Sequence, residues 1–304
     1  RLFTKHLLST MEAFSSGKTP VYDERLTQIF TTILDPDFED DKAFIAQMLS
    51  LPTEEYLAEQ VDVVDVDAIH EARTFIRKNL ADNLADLLSE TYRTNCTDKP
   101  YAFNPELSGQ RQLKNLCLSL LLAIPTPATQ KLCEKQFDQA DNMTDELAAL
   151  RVLVHAGCDS AETALASFFK KWSAEALVLD KWFAVQATAP LAETFFRVQE
   201  LLKHPHFNIK NPHKVRALIG SFSAGNPLCF HHQSGQGYSF LADQIMRIDP
   251  LNSSIASRLM ARLSRWRRYD PHRQRLMKHQ IERILSQKNL SKGVYEIASK
   301  SIAD

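Results

Sequence analysis

The fold class follows from residues 66–88, which read VDAIHEARTFIRKNLADNLADLL. Apolar side chains recur along this stretch at spacings of three and four residues; they are Val66, Ile69, Phe75, Ile76, Leu80, Leu84, Leu87 and Leu88. Such spacing places them on one face of an α-helix, which has about 3.6 residues per turn. The stretch therefore predicts one long amphipathic helix.

The same periodicity covers most of the chain. It predicts further helices roughly over 23–34, 41–50, 110–123, 127–139, 144–156, 160–172, 174–188, 190–203, 212–222, 238–248, 252–268, 271–286 and 291–302. Alternating strand patterns are nearly absent, and the best strand candidate is VDVVDV at 61–66. A capping residue directly followed by proline marks four helix starts, at Thr126-Pro127, Asn211-Pro212, Asn226-Pro227 and Asp270-Pro271.

Glycine is scarce, with 8 residues among 304, and four of them fall within 220–237. This count argues against dinucleotide-binding, phosphate-loop and many-stranded sandwich folds, which depend on tight turns. The five cysteines are odd in number and have no Cys-x-x-Cys spacing, which argues against a disulfide framework or a structural zinc site. The longest apolar run, 116–124, is too short to cross a bilayer.

These observations predict an all-α protein, an irregular α-solenoid or superhelix of stacked helix pairs like those of armadillo and HEAT proteins. The prediction treats 1–304 as one domain, with the connection 94–109 as a candidate boundary between layers 1–95 and 109–304. No repeat of fixed length is visible, and a large orthogonal helical bundle is the alternative. Because the chain opens on Arg1 and not on Met, we expect it to be part of a longer protein.

Charge is distributed unevenly although the net charge is only −1. Residues 35–71 hold 12 acidic side chains and one basic one, and residues 258–288 hold 10 basic side chains and two acidic ones. Trp266 and Tyr269 lie within the basic stretch, a pattern that nucleic-acid binding uses. A solvated helical face, or one that docks on an acidic neighbour, is the preferred interpretation.

No residue set completes a catalytic or metal site. His70-Glu71 lacks a second histidine at Thr74, so it is not a zinc-protease helix. The pairs His204/His206 and His231/His232 are interpreted as loop or surface histidines, and Ser234 is not expected to be a nucleophile. The glycine-containing segment 216–240 is equally compatible with a functional excursion and with a structural corner.

An ordered set of short strings carries a resemblance; these are NMTD (142–145), LAAL (147–150), DKWF (180–183), RALIG (216–220), FH (230–231), IASRL (255–259), RYD (268–270), NLS (289–291) and YEI (295–297). In this order they resemble the C-terminal helical domain of the bacterial aminopeptidase N family, zinc metallo-aminopeptidases of the gluzincin type. The likeness is dense from about residue 136 onward. It implies a zinc centre in an upstream catalytic domain and no cofactor bound by this chain, which alone should not hydrolyse peptides.

The resemblance also implies that this domain closes the substrate cavity, where Arg216 and Arg258 match two cavity-lining arginines. Guanidinium groups there would attract carboxylates or carbonyls of short peptides; the alternative is that both form structural ion pairs. The family's Asn-Pro before the second arginine is Asn252-Ser253 here, which leaves the cap but puts the helix start in doubt.

The resulting hypothesis is a gating domain of a cytoplasmic enzyme that releases N-terminal alanine and other neutral or basic residues. Its expected partners are the upstream catalytic domain and peptide substrates, with no nucleic acid and no membrane. The main alternative is a non-enzymatic armadillo- or HEAT-like interaction scaffold, and the third is a nucleic-acid-binding helical protein.

Overall fold

The computed structural model describes residues 2–97 and 100–303. Within these residues every regular element is a helix; there is no β-strand, only an isolated bridge between Val64 and Tyr269. This confirms the all-α prediction. The chain divides into two compact units: the first holds Arg1–Gln60 and Asp67–Ser167, and the second holds Val61–Val66 and Phe168–Asp304. The predicted layers 1–95 and 109–304 stay a prediction.

The helices of the first unit are mostly those that the apolar spacing predicts. They are α1 (Leu2–Ser15), α2 (Arg25–Ile33), α3 (Lys42–Leu49), α4 (Glu54–Glu59), α5 (Val66–Asn83), α6 (Ala85–Thr94), α7 (Pro105–Leu121), α8 (Pro127–Gln139) and α9 (Met143–His155), followed by α10 (Ala161–Trp172), which continues into the second unit. Helix α7 packs against α3, α6 and α9, and α8 packs against α9. Helix α7 thus forms the centre of this unit.

The second unit continues with α11 (Ala176–Ala187), α12 (Thr194–Leu201), α13 (Pro212–Val215), a π-helical segment (Arg216–Gly220), α14 (Ser221–Gly225), α15 (Pro227–Phe230), α16 (Gln236–Ile248), α17 (Ser253–Met260), a 3-10 turn (Trp266–Arg268), α18 (Pro271–Leu285) and α19 (Lys292–Ile302). Consecutive helices pack as pairs, α16 with α17 and α18 with α19, and α17 also packs on α19. The predicted arrangement of stacked helix pairs is therefore present.

The four predicted cap-and-proline starts are confirmed. Each capping side chain accepts a hydrogen bond from a backbone N–H of the first turn, and each proline occupies the first helical position. The proline has no N–H to leave unsatisfied at that position, so it adds rigidity without losing a hydrogen bond. Asn104-Pro105, at the start of α7, follows the same rule.

Four predicted boundaries are wrong. The helix predicted from residue 110 begins at Pro105, inside the predicted connection 94–109. The helix predicted over 66–88 breaks at Leu84, whose backbone (φ −121°, ψ 17°) leaves the helical region between α5 and α6. The helix predicted over 252–268 ends at Met260, and the helix predicted from residue 190 begins at Thr194. Apolar spacing continues through these breaks because turns that remain buried also need apolar side chains.

Among the described residues, none of the helices has both the length and the apolar character that crossing a bilayer requires.

Candidate functional site

The RALIG string adopts an unusual backbone conformation. The side chain of Asn211 caps α13 by accepting from the His213 N–H (2.9 Å), and the helix then passes into the π-helical segment Arg216–Gly220 before α14. Single π-helical turns inside α-helices are rare and occur frequently at functional sites. The wider turn begins at Arg216, one of the two arginines that the resemblance assigns to a cavity.

Arg216 is exposed, and its contacts are local. Its Nε donates to the Pro212 carbonyl (3.3 Å), and its guanidinium lies 3.2 Å from Nδ1 of His213. No carboxylate of the described chain lies within ion-pair distance of it. The guanidinium is therefore oriented by its own helix while its charge remains available.

Arg258 is exposed on α17 and makes neither a hydrogen bond nor an ion pair with the residues that the structure describes. Helix α17 begins at Ser253, and Asn252 Oδ1 caps it by accepting from the Ile255 N–H (3.1 Å). Serine in place of proline at residue 253 therefore leaves both the cap and the helix start intact. Neither arginine forms an ion pair with the described residues of this chain, and both the substrate role and the ion-pair alternative stay predictions.

A buried ion pair fixes the helix that carries Arg216. Lys214 Nζ lies 2.7 Å from Asp180 Oδ1 on α11 and also donates to the Ala176 carbonyl (2.8 Å). Its ammonium group lies 5.7 Å from the centre of the Phe183 ring. The preceding turn is thereby attached to α11 in two ways, so the π-helical segment starts from a rigid base.

A polar network lies beneath the segment 216–240. His231 Nδ1 is 2.9 Å from the Tyr238 hydroxyl, His231 Nε2 is 3.1 Å from the Tyr269 hydroxyl, and Arg273 Nε donates to the His231 carbonyl (2.7 Å). Arg273 also pairs with Asp270 (3.0 Å). Burial lowers the pKa of His231 to about 3, so the imidazole is neutral. One ring nitrogen then donates to a tyrosine hydroxyl and the other accepts from one.

His231 lies in a turn after α15, as the prediction of a loop or surface position allows, but it is buried at 7% exposed, whereas His232 is exposed. Sequence reasoning missed the network because its members come from three separate places in the chain. The available signal was the glycine at 237: a Cβ at that position would lie 2.2 Å from the Phe230 carbonyl oxygen. The two backbones approach that closely only around a tightly packed corner.

The other histidines that the sequence analysis singled out make local structural contacts. His70 Nδ1 lies 3.0 Å from Glu54 Oε1, and His204 and His206 follow α12 in a loop where both pack against the Phe169 ring. Ser234 and His232 hydrogen-bond each other across a local turn (2.9 Å). No group of three or more metal-ligating side chains occurs in the described ranges.

The basic stretch 258–288 does not present its aromatic side chains. Trp266 is buried, donates to the Ser301 carbonyl (2.8 Å) and carries the guanidinium of Arg267 over its ring at 4.5 Å. Tyr269 stacks on the His231 ring with 4.4 Å between ring centres. Neither ring is available to stack on a base, which removes the main support for nucleic-acid binding.

Comparison with known proteins places the chain in a family. Residues 1–303 match the family described as a domain of unknown function (DUF3458_C) with ARM repeats. Aminopeptidase N of Caulobacter vibrioides is 40% identical over 262 residues, covering 86% of this chain and 30% of that protein. Aminopeptidase N of Escherichia coli is 38% identical over 267 residues (88% and 31%), and that of Haemophilus influenzae is 36% identical over 301 residues (99% and 34%).

A solved structure agrees. The chain superposes on the crystal structure of Legionella pneumophila aminopeptidase A in complex with aspartic acid with a TM-score of 0.88 and 29% identity, covering 99% of this chain and 36% of that one. The chain spans about a third of the length of the relatives it matches. It belongs to the DUF3458_C family of helical ARM-repeat domains and is homologous to the C-terminal region of aminopeptidase N.

Proposed function

We propose that the chain is the cavity-closing, substrate-gating domain of a cytoplasmic zinc aminopeptidase. The observation that carries this proposal is the match of 86–99% of the chain to one third of aminopeptidase N relatives. The catalytic domain upstream in the same protein would hold the zinc, which activates a water molecule for attack on the first peptide carbonyl. This chain would supply the wall that limits access to that centre.

Arg216 and Arg258 are the residues we assign to the substrate. Both are exposed, and neither is neutralised by a carboxylate of the described chain. A guanidinium binds carboxylate and carbonyl oxygens through several N–H donors in one plane. Such contacts would hold the C-terminal carboxylate or the backbone carbonyls of a short peptide irrespective of its sequence.

The test uses Arg216→Ala and Arg258→Ala in the full-length protein, with Arg262→Ala as a control at an exposed arginine on the turn after α17. We expect each of the first two changes to raise KM for tripeptides roughly three- to tenfold, with a smaller fall in kcat, because they remove uniform substrate binding. Arg262→Ala should leave both constants unchanged. Unaltered kinetics in both cavity variants would contradict a substrate role for these arginines.

We further propose that the enzyme prefers N-terminal alanine and other neutral or basic residues. The Legionella structure contains aspartic acid, so the competing expectation is an acidic preference. Hydrolysis rates of the anilides of alanine, arginine and aspartate decide between the two preferences, because these substrates differ only in the released residue. Fastest release of aspartate would refute the proposed preference and leave the gating role untouched.

A further inference from the structure

The first unit contains a cavity of about 600 Å³ that the proposed function does not use. It lies between the C-terminal end of α6, α7, α8 and the start of α9, and the chain at 100–102 forms one side. Its wall is mainly polar and includes Arg111 and Lys114, which stand three residues apart on α7 and therefore share a face of that helix.

Arg111 is the unusual member of this wall. It is only 8% exposed, yet it forms no hydrogen bond or ion pair with any residue that the structure describes. Its guanidinium carbon lies 5.0 Å from the centre of the Tyr101 ring. A guanidinium that is this far buried and has no protein acceptor keeps its N–H donors for whatever occupies the cavity that it lines.

Lys114, in contrast, is a buried cation that has a carboxylate partner. Its Nζ lies 2.7 Å from Asp145 Oδ2, and the other oxygen of that carboxylate accepts from Asn115 Nδ2 (2.9 Å). Among the described residues, the fold thus supplies a carboxylate for Lys114 and none for Arg111 one turn earlier. This contrast leaves the Arg111 guanidinium open to an acceptor on a ligand.

The charge of the wall limits what that acceptor is. The Lys114–Asp145 pair is neutral, and Arg93 is paired with Glu90 (2.6 Å). Arg111 and the exposed Lys135 remain as cations, opposed by the carboxylate of Asp141. Among the described lining residues one positive charge is left over, which a single negative charge on a ligand balances, whereas a dianion such as phosphate would leave an excess of negative charge.

We propose that this cavity binds a small molecule bearing one carboxylate group, which Arg111 holds through two parallel N–H donors. Arginine matches a carboxylate in this bidentate geometry better than any other side chain does. Tyr101 covers one face of the guanidinium, and Lys135 adds attraction at the cavity mouth. This site is independent of the proposed aminopeptidase function and of Arg216 and Arg258.

Cys96 provides a local readout, because it lines the cavity and is the exposed one of the five free cysteines. Its sulfur atom is nevertheless partly buried, which raises the pKa of the thiol. Alkylation by neutral iodoacetamide requires the thiolate and is therefore followed at alkaline pH. Mass spectrometry of the peptide containing Cys96 measures its alkylation rate in the full-length protein. Other cysteines of that protein do not interfere with this measurement.

We expect N-acetyl-L-alanine, which has a carboxylate and no free amine, to slow Cys96 alkylation in a saturable manner. L-alaninamide, which lacks the carboxylate, should not slow it, and inorganic phosphate should act more weakly. Arg111→Gln should raise the half-saturation concentration of N-acetyl-L-alanine at least about tenfold, since a charge-assisted bidentate contact is lost. Arg151→Gln, the same change at an exposed arginine of α9 outside the cavity, should behave like the unaltered protein.

Lys135→Gln is a second variant, at an exposed position where the change should not affect folding. It should weaken the binding of N-acetyl-L-alanine roughly two- to fivefold. Protection by N-acetyl-L-alanine that survives Arg111→Gln unchanged overturns the proposal. No protection of the unaltered protein, or equal protection by L-alaninamide, overturns it as well. Stronger protection by phosphate than by N-acetyl-L-alanine would overturn the proposal that the ligand is a monocarboxylate.

Discussion

At the scale of single residues, the chemistry of this chain depends on whether each cation has a partner. Lys114 and Lys214 are buried and have carboxylate partners at 2.7 Å. Within the part of the chain that the structure describes, Arg111 is buried without one, and Arg216 and Arg258 are exposed without one. A guanidinium without a carboxylate partner can bind a ligand without first breaking an ion pair. These three arginines are consequently the residues to which we assign ligands.

His231 is the residue whose protonation we expect to control stability in acid. Its folded pKa is about 3, below the ordinary value of 6.5, because burial disfavours the charged ring and Arg273 repels it. Between these values the unfolded chain binds a proton that the folded chain does not bind. The stabilising contribution is complete above about pH 6.5, falls as pH decreases, and by about pH 5 has dropped by roughly 2 kcal/mol.

The measurement is urea unfolding of the unaltered chain, His231→Gln and His232→Gln across this pH range. Glutamine at 231 cannot be protonated, so that variant should start about 1–2 kcal/mol less stable at neutral pH and lose less on acidification. His232→Gln alters the exposed neighbour and should follow the unaltered chain. Parallel acid dependence in all three proteins would show that His231 does not carry this effect.

At the scale of the elements, the asparagine caps of this fold differ in how many hydrogen bonds they make. Asn252 caps α17 through one hydrogen bond, from the Ile255 N–H. Asn226 caps α15 by accepting from the Cys229 N–H (3.2 Å), and its Nδ2 also donates to the carbonyls of Ala187 (3.1 Å), the last residue of α11, and Ala189 (2.7 Å) just after it. One side chain thus starts a helix and attaches it to the end of another.

Substitution by aspartate separates these two functions. Aspartate keeps the capping oxygen but replaces the amide donors with a negatively charged oxygen. Asn252→Asp should change the free energy of unfolding by less than about 0.5 kcal/mol, because Asp and Asn cap equally well. Asn226→Asp should cost about 3 kcal/mol or more, since a buried charge would face two carbonyl oxygens. Equal effects in thermal unfolding would mean that the two donor contacts contribute nothing.

At the scale of the whole molecule, chain order and structural units do not coincide. Residues 61–66, which the sequence suggests as a strand, belong to the second unit although the chain on both sides belongs to the first. The Val64 N–H donates to the Arg268 carbonyl (2.7 Å), Arg268 donates to the Val61 carbonyl, and Val64 bridges to Tyr269. This contact anchors the residues next to the His231 network.

The strength of that anchor is measurable with two adjacent valines. Val64 is 5% exposed and Val63 is 60% exposed. Val64→Ser should weaken the attachment by roughly 2 kcal/mol, and amide exchange in the peptide 264–270 should quicken about tenfold or more. Val63→Ser should leave exchange unchanged, because its side chain is already in water. Equal exchange in both variants would contradict an anchoring role for the bridge.

The sequence determined the helices, their capped starts and the family, because these depend on neighbours within a few residues: apolar spacing places one helix face inside, and Asn-Pro or Asp-Pro fixes a first turn. The acidic and basic stretches and the two matching arginines were equally visible. Only the tertiary structure decided that His231 is buried and neutral, that Trp266 is not available to a ligand, and that Arg111 has no carboxylate partner among the described residues. These facts depend on which distant segments supply a carboxylate, a carbonyl or a ring at each position, and helical periodicity does not specify those segments because it concerns one helix at a time.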